Sequence, residues 1–157
     1  MRIAIRDYIT EKDPDIIYQI VKDTGYFSED ELIMARELAI SALAKPGEYL
    51  FFVAEDNLKA AGYACYGKIP CSIGSFELYW IAVLKGYQHN GIGRALINSV
   101  ESAVRSCGGK KLFVSTSSTD RYAPTRAFYE DCAYTQAAVL KDYFAPGDHE
   151  VIYEKPL

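Results

Sequence analysis

Glu77-Leu78-Tyr79-Trp80-Ile81-Ala82-Val83 is an apolar, strand-like run, and a few residues later the chain reads Gln88-His89-Asn90-Gly91-Ile92-Gly93-Arg94. Apolar residues then recur at Leu96, Ile97, Val100, Ala103 and Val104, a helical spacing that runs to about Cys107. The stretch therefore reads strand, glycine loop, helix, with Gly91 and Gly93 at the helix N-terminus. Two glycines one residue apart let the backbone approach a ligand closely. The unpaired amides of a helix start, with the partial positive charge of the peptide dipoles, favour an anion, and Arg94 adds a full charge. A phosphate ligand is the chemistry this stretch suits.

The loop excludes two phosphate binders. Gly-x-x-x-x-Gly-Lys-Ser/Thr is absent, so a Walker-type nucleotide loop is disfavoured. The dinucleotide fingerprint Gly-x-Gly-x-x-Gly lacks its third glycine. What the stretch resembles is the acyl-coenzyme A loop of the GNAT N-acetyltransferase superfamily, Gln/Arg-x-x-Gly-x-Gly/Ala after an apolar strand, which Gln88, Gly91 and Gly93 match. The resemblance implies that residues 88 to 94, namely Gln88, His89, Asn90, Gly91, Ile92, Gly93 and Arg94, hold the coenzyme pyrophosphate. It also implies that Ile81, Ala82 and Val83 run beside the pantetheine arm.

Composition bounds the rest. At 157 residues, half of them hydrophobic and 24% charged, the chain suits one domain that buries about two-thirds of its unfolded surface. Met1-Arg2-Ile3-Ala4-Ile5-Arg6 alternates charged and apolar residues and lacks the apolar core of a signal peptide or anchor, so a cytoplasmic protein is expected. Cys65, Cys71, Cys107 and Cys132 lie far apart with no Cys-x-x-Cys pair, which reads as reduced, mostly buried thiols and no metal site. A net charge of −4 argues against nucleic acid and suits a cationic acceptor.

Outward from the central stretch, Arg2 to Ile9 alternates as a first strand. Asp13-Pro14-Asp15 opens a helix, with an acid as cap, that Thr24-Gly25 stops. Ser28 caps a second helix through Glu29-Asp30-Glu31, acids that suit a helix start or, alternatively, an acceptor-binding patch. Tyr49 to Glu55 and Lys59 to Tyr66 form a hairpin about Asp56-Asn57-Leu58. After the central helix, Gly108-Gly109 leads to a strand over Lys111 to Thr116, giving a right-handed parallel unit. A short helix runs from Ala123-Pro124 to Cys132, and strands over Thr135 to Leu140 and Glu150 to Lys155 flank a turn at Pro146-Gly147-Asp148. The expected fold is α/β: a single-domain, GNAT-like unit over residues 1–157, with a mixed, mostly antiparallel twisted sheet, a central parallel strand pair and helices on both faces.

The same resemblance assigns roles. The family's short helix reads Asn-x-x-Ala-x-x-Phe-Tyr-x-x-x-Gly-Phe, and its tyrosine protonates the departing sulfur; Phe128 and Tyr129 match, with Ala133-Tyr134 at the Gly-Phe position. Tyr122 stands where asparagine contacts the coenzyme, and Thr125 where alanine is common. Tyr129 is alternatively a core aromatic. An amine with a pKa near 10.4 costs about 4 to 5 kcal/mol to deprotonate at pH 7. Glu77 is the first candidate for that proton, against the alternative of an exposed strand-end glutamate. His89 and His149 read as surface groups. The implied activity is transfer of an acetyl group from acetyl-coenzyme A to a primary amine, without metal, membrane or nucleic acid, and with a homodimer left open. The alternative is a non-catalytic acyl-coenzyme A-binding or sensing domain. The segments shaping the acceptor side, Tyr26 to Glu31 and Asp142 to His149, carry no diagnostic pattern.

Overall fold

The computed structural model describes residues 1–157. In chain order the elements are β1 (Ile3–Arg6), α1 (Asp13–Thr24), α2 (Glu29–Ala44), β2 (Leu50–Asp56), β3 (Lys59–Lys68), β4 (Ser75–Val83), α3 (Ile92–Ser106), β5 (Lys111–Ser117), α4 (Ala123–Asp131), β6 (Thr135–Ala145) and β7 (Asp148–Pro156). The strands form one seven-stranded sheet in the order β1-β2-β3-β4-β5-β7-β6. Only β4 and β5 are parallel; every other pair is antiparallel.

Two cores cover the two faces. Ile92, Leu96, Ile97, Val100 and Val104 place one side of α3 against Phe76, Leu78, Leu112 and Val114, and Tyr129 of α4 joins that cluster. Ile17, Ile20 and Val21 of α1, with Leu32, Ala35 and Ala39 of α2, cover Phe51, Val53, Tyr63 and Ala82 on the opposite face. The small alanines of α2 let its backbone lie close to the neighbouring elements. Its start is fixed by a capping box: Glu31 N donates to Ser28 Oγ, and Ser28 N donates to the Glu31 carboxylate at 2.7 Å.

Four sequence expectations are corrected. Asp13 does not cap α1; it is the first helical residue and fully buried. Its carboxylate takes hydrogen bonds from Thr10 N at 2.5 Å and Arg6 Nη2 at 2.6 Å, so it ties the β1–α1 connection to the helix. That tie also ends β1 at Arg6 rather than Ile9. The last hairpin is longer than expected, because β6 and β7 continue to a tight turn at Pro146-Gly147 through a bulge that holds Asp142 at φ 54°. Finally, Cys65 and Cys132 are buried, but Cys71 and Cys107 are exposed.

Two irregularities in β4 create the site. Cys65 pairs with Trp80 and Tyr66 with Leu78, which leaves Tyr79 as the extra residue of a β-bulge. The inserted residue switches the alternation: Phe76 and Leu78 face α3, then Ile81 and Val83 take over that face while Ala82 joins the α1–α2 core. The second irregularity is a split. The β4–β5 ladder holds only from Ser75–Lys111 to Glu77–Phe113, after which β4 diverges and leaves its β5-facing edge without a strand partner.

Candidate active site

The wedge opened by the split is a continuous cleft. Ile81, Ala82, Val83, Gln88, Thr125 and Tyr129 line both of its halves. The first half, about 440 Å³, lies toward the α1–α2 loop and the β6–β7 hairpin; the second, about 590 Å³, lies along the glycine loop and α4. Such volumes suit small-molecule ligands.

The second half is built to hold an anion. Gly91 sits at φ 79° as the N-cap of α3, and no side chain caps the helix. The first helical hydrogen bond runs from Ala95 N to Gly91 O at 2.9 Å, so the amides of residues 89 to 94 find no acceptor within the chain. His89 is also left-handed, at φ 62°, and the pair of left-handed residues curls these amides into a nest. Gly93 is required for a different reason: a β-carbon there would lie 3.3 Å from the ring of Phe128. Arg94 donates to Asp131 O at 3.2 Å, bridging α3 to the end of α4 while its guanidinium borders the cavity. Gln88 donates to Val83 O at 3.0 Å and thereby pins the loop to the end of β4. Asn90 donates to Gln88 O at 3.1 Å and shapes the loop from outside the cavity wall.

Where the halves meet, the open edge of β4 offers donors. Leu84 N donates to Ala61 O at 2.9 Å, toward β3, and strand alternation turns the N–H groups of Val83 and Ile81 the other way, into the cleft. Tyr129 is buried and lines both halves. Burial raises its phenol above the ordinary tyrosine value, so the hydroxyl stays protonated throughout the neutral range.

The first half has the opposite character. Its only charged wall residues are Glu31 and Asp148, and its surface is rich in aromatic rings, among them Tyr26, Phe27, Tyr79, Trp80, Tyr122 and Phe144. Tyr122 therefore opens on this half and not on the glycine loop, whereas Thr125 borders both. The Tyr122 hydroxyl donates to Tyr26 O at 3.3 Å. Glu77 stands at the last rung of the β4–β5 ladder, half-buried, outside the lining of either half. Burial, and secondarily the charge of Glu150, raises its carboxyl above the usual range. Sequence reasoning missed Tyr79, Trp80, Ser117 and Asp148 as individual wall residues. The bulge that redirects Tyr79 and Trp80 leaves no mark in composition, and Asp148 reads there as a turn residue.

The comparisons with known proteins agree with this layout. Residues 15–134 match the model of the acetyltransferase (GNAT) family. The chain belongs to the GNAT acetyltransferase family. A crystal structure of a GNAT-family acetyltransferase from Desulfovibrio desulfuricans is 39% identical, covers 99% of both chains and superposes with a TM-score of 0.97. The ribosomal-protein-S18-alanine N-acetyltransferase of Escherichia coli shares the fold at 22% identity and TM-score 0.78, over 99% of this chain and 94% of its own. The PaiA N-acetyltransferase of Thermoplasma acidophilum, solved in complex with coenzyme A, shares it at 17% identity and TM-score 0.77 over the full length of both chains. A search of the curated proteins finds no match. As a GNAT member the chain carries the expected α/β fold, with its single parallel strand pair and helices on both faces. No helix is long and apolar enough to cross a membrane.

Proposed function

We propose that the chain, acting as one domain in the cytoplasm, transfers an acetyl group from acetyl-coenzyme A to a primary amine by direct attack in a ternary complex. The observation that carries this reading is the polarity of one cleft. An amide nest with Arg94 stands at one end, an acidic aromatic chamber at the other, and Tyr129 with the open edge of β4 between them.

Each part of the reaction then has a residue. The amides of His89 to Arg94 hold the pyrophosphate, with Arg94 adding charge. The N–H groups of Ile81 and Val83 orient the pantetheine arm, and an amide of this edge steadies the carbonyl oxygen as charge develops, since a fixed N–H needs no reorganisation. Glu77 accepts the ammonium proton, reaching it through water because it stands outside the cavity wall; its raised pKa makes it a better base than an ordinary carboxylate. The amine nitrogen bonds the acetyl carbon, the carbon–sulfur bond breaks, and Tyr129 supplies a proton to the sulfur. Tyr129 is the weaker acid of that pair, so it regains its proton from solvent or from the amine. The partner reading, a binding domain without chemistry, leaves the buried Tyr129 phenol and the acidic chamber without a purpose.

The test is turnover. With acetyl-coenzyme A and a panel of primary amines, thiol release should depend on the amine, and mass spectrometry should find the acetylated amine. Coenzyme A binding without amine-dependent release across the panel would favour the binding domain instead.

A further inference from the structure

The first half of the cleft states something about the acceptor beyond its reacting nitrogen. Its charged wall residues are Glu31 and Asp148 alone; no lysine, arginine or histidine borders it. Both carboxylates are held and still have a free oxygen. Glu31 accepts from Ser28 N through Oε2 alone, and Asp148 accepts from Ser117 Oγ through Oδ1 alone, at 2.5 Å. Burial raises the Tyr122 phenol above its ordinary value, and the charges of Glu31 and Asp148 raise it further while that of Arg121 lowers it. Arg121 is absent from the wall: its guanidinium lies 5.3 Å from the Tyr26 ring centre and donates to Gly25 O.

These acids stand apart from the reacting centre. The centre lies on the walls common to both halves, where Tyr129, nine-tenths buried and with no side-chain partner for its hydroxyl, points into the cavity. Glu31 and Asp148 belong to the first half only. An ammonium held between them is therefore a second one, because the attacking nitrogen must be neutral and must reach the thioester beside Tyr129. The stretch between the two positions is walled by rings, including Tyr79, Trp80 and Tyr122, which suits a methylene chain and stabilises a cation over their faces.

Resting on the acetyltransferase reading, we infer that the acceptor is a linear diamine or polyamine, whose distal ammonium is bound by Glu31 and Asp148 while its proximal amine attacks.

The experiment compares kcat/KM for a linear diaminoalkane, the n-alkylamine of equal length and the amino alcohol of equal length. Wild type should prefer the diamine over both by about tenfold or more, and the preference should shrink as salt is added, because Glu31 is exposed. Glu31→Gln keeps the helix cap and Asp148→Asn keeps an acceptor for Ser117, so both should fold; unchanged coenzyme A affinity reports that directly. Each change should reduce the diamine preference a few-fold, and the double variant should bring it near unity. Equal use of the three acceptors, or a preference that survives the double variant, would overturn the inference while leaving acetyl transfer standing. Absence of transfer to any of a broad amine panel would instead overturn the reading on which it rests.

Discussion

Gly93 faces the Phe128 ring across the α3–α4 interface, close enough that a β-carbon on Gly93 would press on the ring at 3.3 Å. The second glycine of the loop thus sets how near the helix carrying Tyr129 lies to the amide nest. Gly93→Ala should cost about 1 kcal/mol net, overpacking outweighing the gain in helix propensity, and should weaken coenzyme A binding. Phe128→Leu should recover part of both losses. Gly91→Ala should cost about 1 to 2 kcal/mol through its left-handed backbone, and Phe128→Leu should not rescue it. Thermal melts and calorimetric titration with coenzyme A check both.

The Arg6–Asp13 pair governs stability rather than chemistry. Burial pushes the Asp13 carboxyl up, but hydrogen bonds from Arg6 and Thr10 overcome it and leave the group below its ordinary value. A carboxyl lowered in the folded state contributes stability that is present above its unfolded pKa, near 3.9, and is lost as pH falls through the lower folded pKa. Asp13→Asn should therefore destabilise by about 2 kcal/mol at pH 7, since it removes the charge-assisted bonds from Arg6 and leaves Glu55, 2.8 Å from Arg6 Nε, as the guanidinium's ionic partner. The difference from wild type should narrow below about pH 4, as urea melts across pH would record.

Glu77 should show the opposite sign. Its carboxyl is raised by burial and then by Glu150, so the protonated form persists to higher pH than for a free glutamate, and transfer should rise as pH passes through that value. Glu77→Gln should remove this limb, slow transfer most near neutrality and recover as the pH approaches the acceptor's own pKa. Because the ionised group is disfavoured where it sits, the same variant should be no less stable than wild type at pH 7. A pH–rate profile unchanged by the substitution would pass the proton to another group or to bulk water.

Tyr129→Phe keeps the ring that packs against Phe128, Tyr134 and Tyr153 and deletes only the hydroxyl. Stability should change little, and coenzyme A affinity should stay within a few-fold of wild type. The transfer step, measured in single turnover, should slow by about a hundredfold, the low end for general acid help, because a thiol is already a fair leaving group. A wild-type single-turnover rate would make Tyr129 a packing residue only.

Much of this was legible in the chain because it is written locally. Strand, glycine loop and amphipathic helix occupy one stretch, and the Ser28–Glu31 box is a four-residue signal; both stand where expected. What was not legible depends on partners distant in sequence. Asp13 reads as a helix cap until Arg6 is brought against it, and the extra residue in β4 shows only in its register with Cys65 and Tyr66. The acidic aromatic chamber is assembled from the α1–α2 loop, β4, β5 and the β6–β7 hairpin, so no single segment could announce it. Tyr122 illustrates the consequence: its place in the short-helix motif points to the coenzyme, whereas its ring opens on the acidic half.

Direct transfer requires both substrates to occupy the wedge between β4 and β5 at once, and steady-state initial velocities test that requirement most directly. With acetyl-coenzyme A and a competent amine varied against each other, double-reciprocal plots should intersect, and the protein should carry no acetyl group when incubated with acetyl-coenzyme A alone. Parallel lines, together with an acetyl group on Cys132 or another side chain, would contradict it.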